Sequence, residues 1–444
     1  MEEYERQVII VADLGFGDAG KGSMVDFLTR QSRAHTIVRY NGGAQAAHNV
    51  ITPDGKHHTF AQFGSGTFVT GVKNHLSRFM MVNPLNMFKE ERHLQSLGVY
   101  DAFNRTTIED RTLVITPFHQ AVNRLKEMAR DSNRHGSCGM GIGETKSDYL
   151  LFKDEVLFMG DLLDKNVIAK KMRFLRDLQL EKIRDLNSEL PESDDVAREL
   201  LVLNDPDIIP LCEDLYSHFT SKVRIVDEGY LGQILKDRGT VIFEGAQGVL
   251  LDEKYGFYPY NTWSDTTFDN AEKLLLEPDY DGQKTRLGIL RAYATRHGVG
   301  PFVTEDQNLT SLIPDMHNGL GDWQGKWRVG YFDLIATRYA LGVVGQVDAL
   351  ALTCFDRLKD MDYWKICDSY SYRGRQLDQI KIWRPTNTNF QEDITRLLEG
   401  CTPNYRDFDS RDVSAYISFL EEAMQIPVKI LSFGPTACDK RGQI

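Results

Sequence analysis

The chain has 444 residues, 41% of them hydrophobic and 26% charged, with a formal net charge of −12. Such values fit a globular protein of one large or several smaller domains, and the negative balance argues against a general nucleic-acid-binding surface while leaving room for a local anion pocket. No apolar run reaches membrane-spanning length, the acidic start lacks a signal-peptide core, and six scattered cysteines without CxxC pairing read as reduced thiols, so a cytoplasmic protein with no membrane or nucleic-acid partner is expected.

The first element is the most informative. An apolar strand, Val8–Val11, runs into a glycine-rich loop, and the loop opens a helix carrying Met24, Val25, Phe27 and Leu28. Strand, glycine loop and helix N-terminus in succession form a cradle for an anion, because glycines allow close approach and free N–H groups point at the ligand. Gly15, Gly20 and Lys21 match P-loop spacing, but Gly22 stands where a P-loop has Ser or Thr, and an acid, Asp18, lies inside the loop. Taken alone, Asp18 reads more readily as a loop or N-cap residue than as a catalytic acid.

Further β-rich runs follow at Thr36–Val38, Thr112–Ile115, Thr240–Phe243, Leu287–Leu290, Ala349–Thr353 and Val428–Leu431. Helical patterns at 117–130, 160–190 and 333–342 alternate with them, which predicts an α/β fold with a large central, mainly parallel sheet flanked by helices. Residues 160–235 are rich in Leu, Lys, Glu and Asp and read as an all-helical insertion within a single domain spanning 1–444. Open α/β sheets bind ligands beyond the carboxyl ends of their strands, so loops 15–23, 41–49, 244–252, 294–304 and 354–357 are expected to converge on one composite site.

Several of these loops carry a resemblance. Gly17-Asp18-Ala19-Gly20-Lys21-Gly22 is similar to the GDEGKG loop of the adenylosuccinate synthetase family, and Val38 to His48 is similar to its VRYxGGxNAGH segment. Gly136 to Gly143, Phe243 to Asp252 with Tyr258-Pro259-Tyr260 and Thr262, and Leu287 to Glu305 match further family motifs in the right order. The resemblance implies GTP-dependent joining of aspartate to carbon 6 of IMP, a magnesium ion, and a homodimer. It implies that Asp18 is general base and magnesium ligand, that the Ala47 backbone gives a second metal contact, and that His48 and Lys21 stabilise phosphate charge. Gln247, Gln45, Ser137, Cys138 and Thr262 would hold the purine monophosphate. Gly17, Gly20 and Gly22 would line the phosphate loop. Asp356, with Ser432 and Gly434, would read the guanine of GTP. Lys326, Arg328 and Asp322 would face the amino acid.

The departures from the pattern fall at substrate pockets. Cys138 replaces a threonine and is a weaker donor, and Cys354 replaces the lysine before Asp356. In the amino-acid loop only Lys326 and Arg328 keep positive charge, with Gly325 and Trp327 at the other arginine positions and Asp322 and Trp323 where the family has threonines. Lysine lacks the planar fork that grips a carboxylate. His297 stands where the family has a small apolar residue, and a lone histidine there reads more readily as packed than as a participant. Alternatives therefore stay open: the same activation with another amino nucleophile or with dGMP, or a nucleotide-binding paralogue without synthetase activity.

Overall fold

A computed structural model describes residues 5–130, 136–184, 186, 189–314, 325–384 and 386–444. Ten strands form the central sheet, numbered here in chain order: β1 (Arg6–Asp13), β2 (Thr36–Arg39), β3 (Lys73–Leu76), β4 (Thr106–Glu109), β5 (Arg224–Val226), β6 (Gly239–Glu244), β7 (Gln283–Arg291), β8 (Ala349–Thr353), β9 (Val428–Ser432) and β10 (Lys440–Gly442). Their spatial order is β10-β9-β8-β7-β1-β6-β2-β3-β4-β5. All neighbours are parallel except β9 and β10.

Alternation along β1 explains the layering. Ile9 and Val11 pack with Met24, Val25 and Leu28 of helix α1 (Lys21–Gln31) on one face. Val8 and Ile10 pack with Leu231, Leu274 and Leu275 on the other. A parallel sheet covered on both faces needs such continuous apolar strands. The carboxyl ends of β1, β2, β6, β7 and β8 consequently lie along one edge, and their loops meet there.

Two expectations change. Thr112–Ile115 does not join the central sheet: Leu113–Val114 pairs with Met81–Val82, and β4 takes the place in the sheet. In β4 only Ile108 is aliphatic, so its sequence carries little strand signal. The 160–235 segment is not all-helical either, because it contains β5 after helices Lys165–Arg184, Asp194–Asn204 and Ile208–Thr220. This strand is the sheet's outermost on that side, where three residues suffice. Among the described residues no helix is long and apolar enough to cross a membrane.

Candidate functional site

The phosphate loop is built around a residue that the sequence did not single out. Asp13, the last residue of β1, accepts the Gly15 N–H at Oδ1 (2.8 Å) and the Ala19 N–H at Oδ2 (2.8 Å). The Lys21 ammonium donates to the same Oδ2 at 2.9 Å, and both side chains are almost fully buried. Lys21 also donates to the Gly17 carbonyl. Gly20 precedes α1 in the left-handed region (φ +85°), which turns the chain from loop into helix without a side-chain cap.

Close packing explains the missing P-loop hydroxyl. A Cβ on Gly22 would lie 2.7 Å from the His48 carbonyl carbon, because the start of α1 rests on the strand His48–Ile51. The loop after β6 presses from the other side: a Cβ on Gly248 would stand 2.2 Å from the Gly15 oxygen, and the Leu250 N–H donates to that same oxygen at 3.1 Å. Asn41, buried after β2, donates to the Ala246 and Asp265 carbonyls and accepts the Ala246 N–H. Three loops distant in sequence are thereby fixed on one another.

His48 is held by Glu244, the last residue of β6, with Nδ1 2.6 Å from Oε1. Glu244 also accepts the Ser65 N–H at 2.9 Å and the Ser65 hydroxyl. Burial opposes its charge, but the Arg39 guanidinium and the His48 and Ser65 hydrogen bonds outweigh it and hold the carboxyl down at about 2. Burial pulls His48 down to about 4, helped by the Arg39 and Lys21 charges and opposed by Glu244. At neutral pH the pair is therefore an ionised glutamate and a neutral imidazole whose proton sits on Nδ1. Nε2 is left to take a proton when an anion arrives, with Glu244 as its countercharge.

Two spaces adjoin the loop. A small cavity is lined by Asp13, Asp18, Arg291, Tyr293, Phe302 and Asp333. Asp18 is part-exposed there, its Oδ2 3.7 Å from His297 Nε2, and its carbonyl accepts from Arg291. A groove of about 1510 Å³ runs past Phe16 and gathers Gln45, Ser137, Cys138, Gln247, Thr262 and His297. Both polar side-chain atoms of Gln45 are buried without a hydrogen-bond partner. Gln247 adopts φ +63°, Ser137 accepts from Asn123, and burial pushes the Cys138 thiol up to about 11, so it stays protonated. Lys126 and Arg130 also reach the groove, paired with Glu144 at 2.7 Å and Glu127 at 2.5 Å, and Arg296 lines it while donating to the Pro301 carbonyl; none of the three was a sequence candidate.

The amino-acid loop pairs with β7's continuation: Trp327–Gly330 runs antiparallel to Ala294–His297, placing Trp327 opposite His297. Their rings meet edge to face at 4.6 Å, and Arg291 lies over the Trp327 ring at 5.2 Å. Arg328 is bound to Glu305 at 2.7 Å and to the Gly300 carbonyl at 2.9 Å. Lys326 is exposed, Ala47 is exposed beside His48, and Asp322 lies outside the described residues. Asp356 follows β8 and Cys354, apart from both spaces described above, on the side where Ser432 donates to the Gly434 carbonyl. A buried Lys440 from β10 donates there to the Gly434 and Thr436 carbonyls at 3.2 and 2.9 Å. Burial brings Lys440 down to about 8 against the pull of Asp439, Cys354, Asp26 and Asp356, so a cation does stand near the position that Cys354 left without one.

A parallel sheet with a phosphate loop at its edge and a nucleotide-sized groove beside it defines a nucleotide-dependent enzyme of the α/β class. The adenylosuccinate synthetase family model matches residues 10–440. Adenylosuccinate synthetase of Chlorobium limicola is 31% identical, covering 97% of this chain and 96% of the relative, and that of an Exiguobacterium strain is 30% identical with 96% of each covered. Among solved structures, the fully ligated adenylosuccinate synthetase of Plasmodium falciparum superposes with a TM-score of 0.77 at 21% identity, covering 98% of this chain and all of that one. Succinoaminodeoxyadenylate synthetase of cyanophage S-2L, bound to dGMP and dATP, gives 0.60 at 16% identity over 99% and 95%. The chain belongs to the adenylosuccinate synthetase family, and it is a ligase of purine nucleotide biosynthesis.

Proposed function

We propose that the chain uses GTP to activate the 6-oxygen of IMP and joins aspartate there, giving adenylosuccinate, GDP and phosphate. The observation that carries this reading is that the Asp18 carboxylate lines the cavity beside the phosphate loop, while His48, held by Glu244, packs against Gly22 at the start of the helix that the loop opens. Asp18 takes the proton from ring nitrogen 1, which drives charge onto the 6-oxygen. That oxygen attacks the γ-phosphate, and GDP departs. The amine of aspartate then attacks carbon 6 and expels phosphate. His48 meets the phosphate charge, with its proton balance set by Glu244.

Gln45, with two buried polar atoms unpaired, and Gln247 suit a purine's hydrogen-bonding edge, while Ser137, Cys138, Thr262 and the cations of the groove suit its phosphate. The part-exposed Asp18 carboxylate is a hard oxygen ligand of the kind magnesium prefers, and the Ala47 carbonyl is proposed as a second. Magnesium, when bound, would neutralise phosphate charge during transfer. Asp356 with Ser432 and Gly434 is assigned to guanine, and a cytoplasmic homodimer is the proposed working form.

One observation favours a second reading. Arg328 is committed to Glu305, and Trp327 packs on His297, so among the described residues the amine side offers little for two carboxylates. The same activation with another amino donor, or with dGMP, is that second reading. Mass spectrometry of products formed from GTP, magnesium and IMP or dGMP, each with aspartate, other amino acids or none, decides between them. Adenylosuccinate supports the first; GTP consumption without an aspartate adduct supports the second; no turnover under any condition leaves a nucleotide-binding paralogue.

A further inference from the structure

The phosphate loop already contains an anion. Asp13 takes the Gly15 and Ala19 N–H groups and the Lys21 ammonium, all within 2.9 Å. Those are the donor types that a nucleotide phosphate recruits in a loop of this shape. The pair is sealed: the Lys21 and Asp13 side chains are 1% and 0% exposed, and the second Lys21 contact is to the Gly17 carbonyl. The ammonium that would ordinarily offset phosphate charge is thus spent on a neighbour.

The cavity beside the loop is acidic as well. Asp13, Asp18 and Asp333 face it, against Arg291. Even with Lys21 counted, three carboxylates oppose two cations. Burial raises Asp333 only to about 6, so it remains largely ionised above neutral pH. A free nucleoside triphosphate, carrying about four negative charges, would enter an unfavourable field. Its complex with a divalent cation carries about half that charge, and the Asp18 carboxylate that lines the cavity would suit such a cation.

We propose that Asp13 is a specificity-determining residue that makes the phosphate loop accept a nucleoside triphosphate as its divalent-cation complex and reject the free polyanion. The proposal rests on the reading of the loop as the nucleotide site. Asp13 acts by neutralising Lys21 and by occupying loop donors, so the positive charge must come with the ligand.

The test is calorimetric binding of the methylene-bridged GTP analogue to the full chain, in excess magnesium and in EDTA. The wild type is expected to bind the magnesium complex on the order of a hundredfold more tightly than the free analogue. Asp13→Asn should narrow the gap between the two forms by about tenfold, through tighter binding of the free analogue. Asp13→Ser serves the same purpose with a smaller side chain. If the folded variants keep the wild-type gap, or bind the free analogue more weakly, Asp13 is only a scaffold and the proposal falls. It also falls, with no variant needed, if the wild type binds both forms equally. A wild type that binds neither form, nor the adenine counterparts, would instead remove the nucleotide reading itself.

Discussion

A part-exposed carboxylate 3.7 Å from an imidazole, beside a loop of N–H donors, is a suitable proton acceptor at Asp18. Asp18→Asn is expected to lower turnover by about 10²–10⁴-fold, far more than it weakens nucleotide binding, as single-turnover and binding measurements would show. Surviving turnover would place the base elsewhere. His48 yields a prediction about pH. Its folded pKa of about 4 lies below the 6.5 of the unfolded chain, so the unfolded state binds the proton first. The stability this group contributes is fully present above pH 6.5 and is lost as pH falls towards 4, an effect of up to about 3 kcal/mol. Denaturant titrations at intervals across that range should show the slope in the wild type and a flatter one in His48→Gln. Asp18, Lys21 and His48 were legible because loop spacing and family resemblance mark them. Asp13 and Glu244 were not singled out as candidates, because each is a lone acid at a strand end whose role appears only when the loop folds back onto it.

At the scale of elements, α1 and its neighbours leave no room for the residue a P-loop would have after its lysine. Gly22→Ser should cost about 1–3 kcal/mol, measured by urea denaturation, and should displace His48 enough to reduce turnover. A neutral outcome would mean that the helix can slide along the strand His48–Ile51. The paired segments Ala294–His297 and Trp327–Gly330 make a second expectation. Arg328→Leu frees Glu305 and uncovers Phe302, and if this arginine serves the amino donor, the donor's KM should rise far more than that of GTP. Equal rises would reduce Arg328 to a structural strut. The long apolar strands and the helices at 117–130 and 333–342 were readable from periodicity. The strands β3, β4 and β5 were not, since toward the margin of the sheet pairing is fixed by neighbours and not by apolar content.

For the whole molecule, the groove is assembled from residues as distant in sequence as Gln45, Ser137, Gln247 and His297. A purine monophosphate held by all of them would tie these segments into one cooperative unit. At a free concentration a hundred times its Kd, IMP should raise the unfolding free energy by about 2.7 kcal/mol in a single transition. A separate, unshifted transition would show that part of the chain unfolds independently of the site. The convergence of the loops was foreseeable from the parallel sheet. Lys126 and Arg130 were not, because each belongs to an ordinary-looking run of helical charges and is paired with a glutamate, Glu144 or Glu127.

The place of β1 in the sheet has a consequence for how the chain is made. This strand leaves the ribosome long before its partners β6 and β7, which begin at Gly239 and Gln283. At about 5–20 residues per second, an apolar strand and the loop that carries Asp13, Asp18 and Lys21 wait on the order of ten seconds or more without a template. Through that interval Val8 to Ala12 must be shielded from other nascent chains, which makes co-translational protection of this strand part of how the site comes into being.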